Sequence, residues 1–465
     1  MTKTLVMKFG GTSVGSATAI RNLIEIVRNA RTTWPQVAIV VSAMSGATDA
    51  LLNGAYSAAH GDEERPRQIA AELREKHSTV LRELAPQDDD TRRVITALLD
   101  EFTALCHAVR ILGEASPRAL DAIASLGERM SAPLVAAALN QATLPACVLD
   151  AAEVVVTDTN YQSANPDMEA TRAKAQARVL PILAAGQVPV ITGFIGATKH
   201  GAVTTLGRGG SDFSGAIFGV ALDAAEVWIW TDVNGVMTAD PRTVPSARTL
   251  PELTFREISE LAFYGAKVLH PKTIRPVVER GMDLWVKNTF DPAQSGTRIV
   301  ADQAMQGAIK AVTAFKGQCI LTLEGRGMLG IPGIAARTFA AVARTHTSVA
   351  MISQASSEQS ICFVVPCKSG PTVVAALEEE FRLELARRDI DSVTSTDECA
   401  VVTVVGAGMR STPGIAGRIF SALGDAKVNV IAIAQGSSEC SVSLVVTAPA
   451  ADEAVRAIHA LIVNS

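Results

Sequence analysis

An internal repeat limits what the C-terminal third of this chain can become. Gly325–Val365 aligns without gaps to Gly406–Val446, at an offset of 81 residues. Met328 matches Met409, Pro332-Gly333-Ile334-Ala335 matches Pro413-Gly414-Ile415-Ala416, and Arg337 and Phe339 match Arg418 and Phe420. Gln354 matches Gln435, and Ser356-Ser357-Glu358 matches Ser437-Ser438-Glu439. A repeat of this quality means two copies of one small unit. Each copy reads strand, helix, strand, strand, helix. The first has a candidate fourth strand near Asp391–Thr396; the second has none after its last helix. Ile309–Phe315 is a spare strand ahead of the first copy. It is expected to complete the second, so that the two copies interleave.

Gly325-x-Gly327-x-x-Gly330 imitates a dinucleotide-binding fingerprint. The strand after it ends at Gln354 rather than at the acid a ribose needs, and the second copy breaks the pattern at Ser411. Nicotinamide binding is therefore not expected.

The rest of the chain alternates apolar strands with helical patterns, which implies an α/β domain with a mainly parallel sheet. Leu5-Val6-Met7 leads into Lys8-Phe9-Gly10-Gly11-Thr12-Ser13 and then a helix with Ile20, Leu23, Ile24 and Val27 on one face. Glycines let a backbone approach a ligand, and free N–H groups at a helix start attract anions. Lys8 adds a full charge beside them, so the stretch reads either as a phosphate site or as an ordinary strand-to-helix turn. Val37–Val41 ends in a loop from Ser42 to Thr48. Residues 62–121 are charged and helical, broken near Pro86 and Gly113, with Asp88-Asp89-Asp90 read as a helix start rather than a metal site. Ser125–Leu139 reads as a helix with Glu128 in its first turn. Val188–Phe194 and Glu226–Trp230 are further strands, and Leu206–Asp212 is a second glycine loop before an apolar helix. Ligands of such sheets sit beyond the carboxyl ends of the strands, so these loops are expected on one edge. A domain boundary is expected just after Asp291–Thr297.

Composition narrows the function. Aromatic residues make up 4% and net charge is −5 without a basic block, which argues against a nucleic-acid partner. The N-terminus has no signal-peptide core, and no apolar run reaches a membrane-spanning length. The seven cysteines are scattered without a Cys-x-x-Cys pair, so a reduced, cytoplasmic setting with thiols used as apolar residues is expected.

Two glycine loops, Lys8 and Arg208 supply what phosphoryl transfer asks of a protein: positioning, positive charge and N–H donors. The first loop does not match the GxxxxGK[ST] pattern, so another class of phosphotransferase is implied. Ser211 and Asp212 are natural N-cap residues, while Arg208 fits a carboxylate as a bidentate fork.

KFGGTS at 8–13, SAMSGATD at 42–49, GERM at 127–130, GRGGSD at 207–212, WTDVNGVMTADPR at 230–242 and FYGAKVLHPKT at 263–273 together resemble the aspartate kinases of the amino-acid-kinase superfamily, with a C-terminal ACT pair. The resemblance covers essentially the whole chain. It implies a three-layer α/β/α kinase domain at 1–300, then two interleaved ferredoxin-like βαββαβ units, ACT domain 1 at 316–397 and ACT domain 2 built from 301–315 plus 398–465. It implies that Lys8 stabilises the transferred phosphoryl group, that Asp212 orients Lys8, and that Gly10, Gly11 and Ser13 hold phosphate. Arg208 would bind the α-carboxylate of L-aspartate and Glu128 its ammonium group, with Ser42, Thr48, Gly209, Gly210 and Ser211 completing the pocket. Thr231, Asp232, Arg242 and Lys267 would contact ATP, and Mg²⁺ would be held by the nucleotide phosphates rather than by protein ligands. Met237 stands where several members have a tyrosine near the nucleotide. His270 reads as structural, and Trp228, Trp230 and Trp285 as core.

The same resemblance implies an amino-acid effector at Gln354 and Gln435, whose amides both donate and accept. The double-glutamine version resembles the threonine-sensitive aspartate kinases fused to homoserine dehydrogenase. Threonine is expected, with lysine as the alternative. No dehydrogenase domain is present, so the chain reads as a single-function enzyme or a part of a longer fusion. Open strand edges point to a homodimer or larger assembly through the ACT region. A kinase of another acidic amino acid, and a catalytically silent sensor, remain rival readings.

Overall fold

A computed structural model describes residues 3–265, 269, 271–301, 309–354, 359–435 and 440–463. Two compact units emerge. The first comprises Met1–Val236, Thr249–Phe255 and Val268–Asp302; the second comprises Met237–Arg248, Arg256–Lys267 and Gln303–Ser465.

The first unit is built on strands β1 (Thr4–Phe9), β2 (Gln36–Val41), β3 (Ala146–Leu149), β4 (Val156–Thr157), β5 (Val188–Thr192), β6 (Ile195–Thr198), β7 (Val203–Thr205), β8 (Glu226–Thr231), β9 (Glu252–Thr254), β10 (Asp283–Asn288) and β11 (Thr297–Val300). Eight of them form one sheet in the order β3-β5-β2-β1-β8-β10-β11-β9, while β4, β6 and β7 form a small second sheet. From β3 to β10 the neighbours are parallel. Parallel strands need crossover helices and are buried on both faces. The run Leu5-Val6-Met7 is accordingly fully buried. The crossovers supply α1 (Ala17–Thr33), α2 (Ala47–Ala59), α3 (Glu64–Leu84), α4 (Asp89–Leu112), α5 (Pro117–Gln141), α6 (Met168–Ala184) and α7 (Gly210–Ala221). Asp88 caps α4 by accepting from Thr91 N–H, as the acidic run suggests. Helix α5 starts earlier than expected. Ser116 caps it and Pro117 occupies its first turn. Glu128 therefore sits in mid-helix, where a first-turn dipole explanation for the acid does not apply.

The second unit contains both repeat copies. Helix α8 (Phe255–Phe263) falls mostly in this unit and α9 (Pro271–Glu279) in the first. The first copy runs β12 (Ala311–Glu324), α10 (Ile334–Arg344), β13 (Met351–Gln354), β14 (Ser360–Pro366), α11 (Gly370–Glu380), α12 (Arg382–Arg387) and β15 (Ser392–Ser395). The second runs β16 (Cys399–Val405), α13 (Ile415–Asp425), β17 (Ala432–Gln435), β18 (Ser441–Thr447) and α14 (Ala451–Val463). The spare strand and the first strand of copy one are a single strand, β12. Its start pairs with copy two, Ala311 opposite Val405 through Phe315 opposite Val401. After a register shift its remainder pairs with β14 and β15 of copy one.

The copies differ at one equivalent point, exposed at Asp391 in copy one and buried at Glu257 in copy two. In copy one, Asp391 N–H donates to Glu324 O at 2.7 Å, and the Asp391 carboxylate accepts from Arg326 N–H at 3.3 Å. In copy two the corresponding backbone bond is Lys310 N–H to Val405 O, 2.9 Å. A lysine there cannot accept the next N–H. Glu257 of α8 does so instead, taking Ala407 N–H at 2.7 Å while pairing with Lys310 Nζ at 2.9 Å. Glu257 is fully buried.

One grouping was not expected, and one expectation needs correction. Segments 237–248 and 256–267, which precede the boundary expected near residue 300, group by contact with the C-terminal unit. Hydrogen bonds hold them there: Val312 N–H donates to Thr238 O at 2.9 Å, and Thr238 Oγ1 and His459 Nε2 lie 2.8 Å apart. The cysteines are also not all thiols. Cys319 and Cys367 are joined in a disulfide, their Cα atoms 4.9 Å apart. The antiparallel pairing of β12 with β14 sets Gln318 opposite Pro366 and so brings these two distant cysteines side by side.

Candidate active site

The first unit gathers its glycine loops at the carboxyl ends of β1, β2, β5 and β8. Lys8 pairs across the sheet with Val40 on β2 and Ile229 on β8, so the loops after these strands start level with one another. Backbone bonds lace them together. Gly10 N–H donates to Trp230 O at 3.0 Å, Ser42 N–H to Phe9 O at 3.1 Å, and Ser45 N–H to Gly11 O at 3.1 Å. Ser131 on α5 donates to Ser42 O at 2.6 Å, and Lys76 on α3 donates to Ser45 O at 2.5 Å.

A cavity of about 310 Å³ opens among these loops. Its walls include Lys8, Gly11, Ser42, Thr48, Glu128 and Asp212. Lys8 Nζ lies 2.5 Å from Asp212 Oδ1, both side chains largely withdrawn from solvent. Helix α7 makes this pairing possible. Gly209 precedes it with φ of 69°, a left-handed turn that suits glycine. Neither Ser211 nor Asp212 caps the helix; both fall in its first turn. One turn on, a Cβ at Gly215 would stand 3.0 Å from Lys8 Cβ, so glycine there lets α7 lie against the lysine stem.

Glu128 is the electrostatic anomaly of the cavity. It is 2% exposed, and its Oε2 is buried without a hydrogen-bond partner. Burial pushes its carboxyl up to about 8, against the opposing pull of Ala43 and Glu128 N–H groups, the Lys8 charge and the Ser211 hydroxyl. A carboxylate deprived of water and left one partner short fits an ammonium group.

The structure sorts the expected residues. Lys8, Gly11, Ser42, Thr48, Glu128, Gly209, Gly210, Ser211 and Asp212 share the cavity wall. Gly10 adjoins it through its bond to Trp230. Ser13 does not reach it. Its fully buried hydroxyl lies 2.7 Å from Thr289 Oγ1 and donates to Trp230 O at 3.4 Å. Arg208 is exposed beside the cavity between two lining glycines. Thr231 and Asp232 stand at the end of β8, next to the Gly10 turn. Arg242 belongs to the second unit, where Asp240 engages its guanidinium at 2.6 Å. Lys267 and His270 lie outside the described residues. Met237 belongs to the second unit. Trp230 is core, while Trp228 and Trp285 are partly buried with Lys287 Nζ within 5.1 and 4.9 Å of their rings.

Sequence reasoning missed Phe194 and Asp49, which also line the cavity. Phe194 has a positive φ of 67°, and its N–H donates to Ser214 Oγ at 2.8 Å. Non-glycine residues held in that region cost energy and cluster at functional sites. Only the backbone reveals this signal. Among the described residues no group of three His, Cys, Asp or Glu side chains could hold a metal ion.

Comparison with known proteins places the chain. Residues 3–288 match the Amino acid kinase family, and residues 321–381 and 402–461 match the ACT domain. The chain is 35% identical to a chloroplastic bifunctional aspartokinase/homoserine dehydrogenase 1 of Zea mays, over 98% of this chain and 50% of that protein. It is 32% identical to the lysine-sensitive aspartokinase 3 of Escherichia coli, over 99% of each. Among solved structures, E. coli aspartokinase III with aspartate and ADP (R-state) superposes with a TM-score of 0.82 at 30% identity, covering 98% of this chain and 99% of that one. The same enzyme with lysine and aspartate (T-state) gives 0.79 at 31% identity, over 98% and 99% of the chains. The chain thus belongs to the amino acid kinase family, among its aspartokinase members with a C-terminal ACT pair. It spans about half the length of the bifunctional relatives it matches.

Proposed function

We propose that this protein transfers the γ-phosphoryl group of ATP to the β-carboxylate of L-aspartate, giving 4-phospho-L-aspartate and ADP. One observation carries the reading: the Lys8–Asp212 pair and the under-bonded Glu128 carboxyl face one cavity. Glu128 receives the substrate ammonium group and Arg208, at the rim, its α-carboxylate. A β-carboxylate oxygen attacks the γ-phosphorus, and the bond to the bridging oxygen of ADP breaks. The nucleophile is already ionised at pH 7, so no general base is needed. Lys8 offsets the charge that spreads over the phosphoryl oxygens, and Asp212 holds it in place.

The Gly10–Gly11 turn, Thr231 and Asp232 form the nucleotide side. Mg²⁺ travels with the nucleotide phosphates. Ser13 acts one step back, tying the glycine turn to Thr289. An aspartate- and ATP-dependent hydroxamate assay tests the activity. An active wild type and an inactive Lys8→Ala support it; turnover of glutamate but not aspartate overturns it.

Regulation is assigned to the ACT pair. Gln354 and Gln435 end the equivalent strands β13 and β17, and both are exposed. We read threonine as the effector from this paired glutamine arrangement. The lysine-sensitive name of the E. coli relative keeps lysine as the second reading. Titrating both in the same assay separates them. Exposed Ile352 and Ile433, at matching positions on those edge strands, support assembly through this region. A monomeric sedimentation value would count against that. No helix among the described residues is long and apolar enough to cross a membrane. A cytoplasmic setting is our reading, although the plant relatives carry the word chloroplastic in their names.

A further inference from the structure

Asp121 takes no part in the chemistry above, yet it is the most fully engaged buried carboxylate near the cavity. It sits in the second turn of α5 and is 1% exposed. Both its oxygens are used. Oδ1 accepts from Thr205 Oγ1 at 2.7 Å, Oδ2 accepts from Thr205 N–H at 3.0 Å, and Gln162 N–H donates to the pair at 3.0 and 3.1 Å. Burial pushes its carboxyl above the usual range while these three donors oppose that shift.

The two segments it ties are the two that back the substrate-side loop. Thr205 ends β7, and Leu206 follows with its N–H on Phe194 O at 3.0 Å. Gly207, Gly209, Gly210, Ser211 and Asp212 then line the cavity. From the other side Gln162 holds a positive φ of 67°, and its carbonyl oxygen stands 2.9 Å from where a Cβ on Gly207 would be. Ala164 N–H closes the arrangement on Thr205 O at 2.9 Å. Without an acceptor at 121, the two buried donors of Thr205 and the part-buried Gln162 N–H would lose their partner. The turn at Gly207 would then lose both its upstream anchor and its backing.

We propose that Asp121 is a positioning residue for the substrate-carboxylate loop 206–212, setting through Thr205 and Gln162 where Arg208 and Ser211 stand. This rests on the reading of the cavity as the aspartate site. An asparagine at 121 keeps the shape but offers one acceptor oxygen, and its NH₂ group faces backbone donors. A residue needed only for stability would lower the amount of active enzyme without touching its substrate dependence. A positioning residue changes the substrate dependence on one side only.

The test measures kcat and both KM values on the full chain for Asp121→Asn, Thr205→Val and Thr205→Ser. It also measures amide hydrogen exchange of 203–210 without substrates. The expected result is a KM for aspartate raised about tenfold or more by Asp121→Asn, the scale of losing one buried hydrogen bond. KM for ATP is expected to stay within about twofold. Thr205→Val, which loses only the hydroxyl donor, shifts KM for aspartate in the same direction. Thr205→Ser, which restores that donor, brings it back. Exchange of 203–210 quickens in Asp121→Asn while β1 and β2 stay protected. Equal rises in both KM values, a fall in kcat alone, or unchanged exchange overturns the proposal. If the wild type fails to turn over aspartate while exchange still quickens at 203–210, the substrate reading falls and the positioning role stands.

Discussion

The buried Glu128 makes substrate affinity depend on pH. Burial pushes its carboxyl up to about 8 from its ordinary 4.5. At 1.36 kcal/mol per pKa unit, ionising it there costs about 5 kcal/mol more than in water. At pH 7 about one site in ten is ionised, and at pH 6 about one in a hundred. Aspartate brings an ammonium group that pairs with the ionised form, and apparent affinity scales with the fraction of competent sites. KM for aspartate is therefore expected to fall about tenfold per pH unit between pH 6 and 8, then level off. KM for ATP, on the far side of Lys8, follows no such course. Steady-state kinetics at fixed saturating ATP across pH 6 to 9 reads this directly. Glu128→Gln is the control, because an amide cannot titrate: its KM is high at every pH and the slope disappears. A flat wild-type KM between pH 6 and 8, or the same slope in Glu128→Gln, would refute the reasoning. The same shift has a stability sign. The folded state holds a proton that the unfolded chain releases above about 4.5, so this group's contribution falls as pH rises from there to about 8.

Other consequences are separable from that one. Gly215→Ala sets a methyl group 3.0 Å from Lys8 Cβ and is expected to lower kcat by about tenfold to a hundredfold, while KM for aspartate changes little. Lys310→Met removes the cation paired with the buried Glu257 and is expected to cost about 3–5 kcal/mol in urea denaturation, with much of the loss recovered in the Lys310→Met/Glu257→Gln double variant. His77 is fully buried on α3 and its ring is pushed down to about 4 by burial. The unfolded chain takes up that proton first, so about 3 kcal/mol is lost as pH falls from about 6.5 to 4, and His77→Leu removes that part of the pH profile.

The strand–turn–helix order around Lys8 and the repeat at 325–446 were legible because each is carried by neighbours in sequence. Hydrophobic period and glycine turns state them locally. So were the strand edge on which the loops meet and the fourth-strand role of 309–315, since a copy short of one strand must borrow it. The fate of individual side chains was not. The partners of the Ser13 hydroxyl appear only when β8 and the loop after β10 bring Trp230 O and Thr289 to it. Cys319 and Cys367 look like two scattered thiols until an antiparallel register sets them together.

Local pattern determined the elements, their order and the Gly10, Gly11, Gly209 and Gly210 turns, because backbone preference and amphipathic period act over a few residues. Tertiary structure decided the charges and the division of the chain. Glu128 becomes a proton-holding group only when α5 is buried beneath the Ser42 loop. Glu257 becomes an anchor of α8 only because Lys310 occupies the place that Asp391 fills in the other copy. Desolvation and the partners of a charge are properties of the surrounding three-dimensional packing, and no window of sequence contains them.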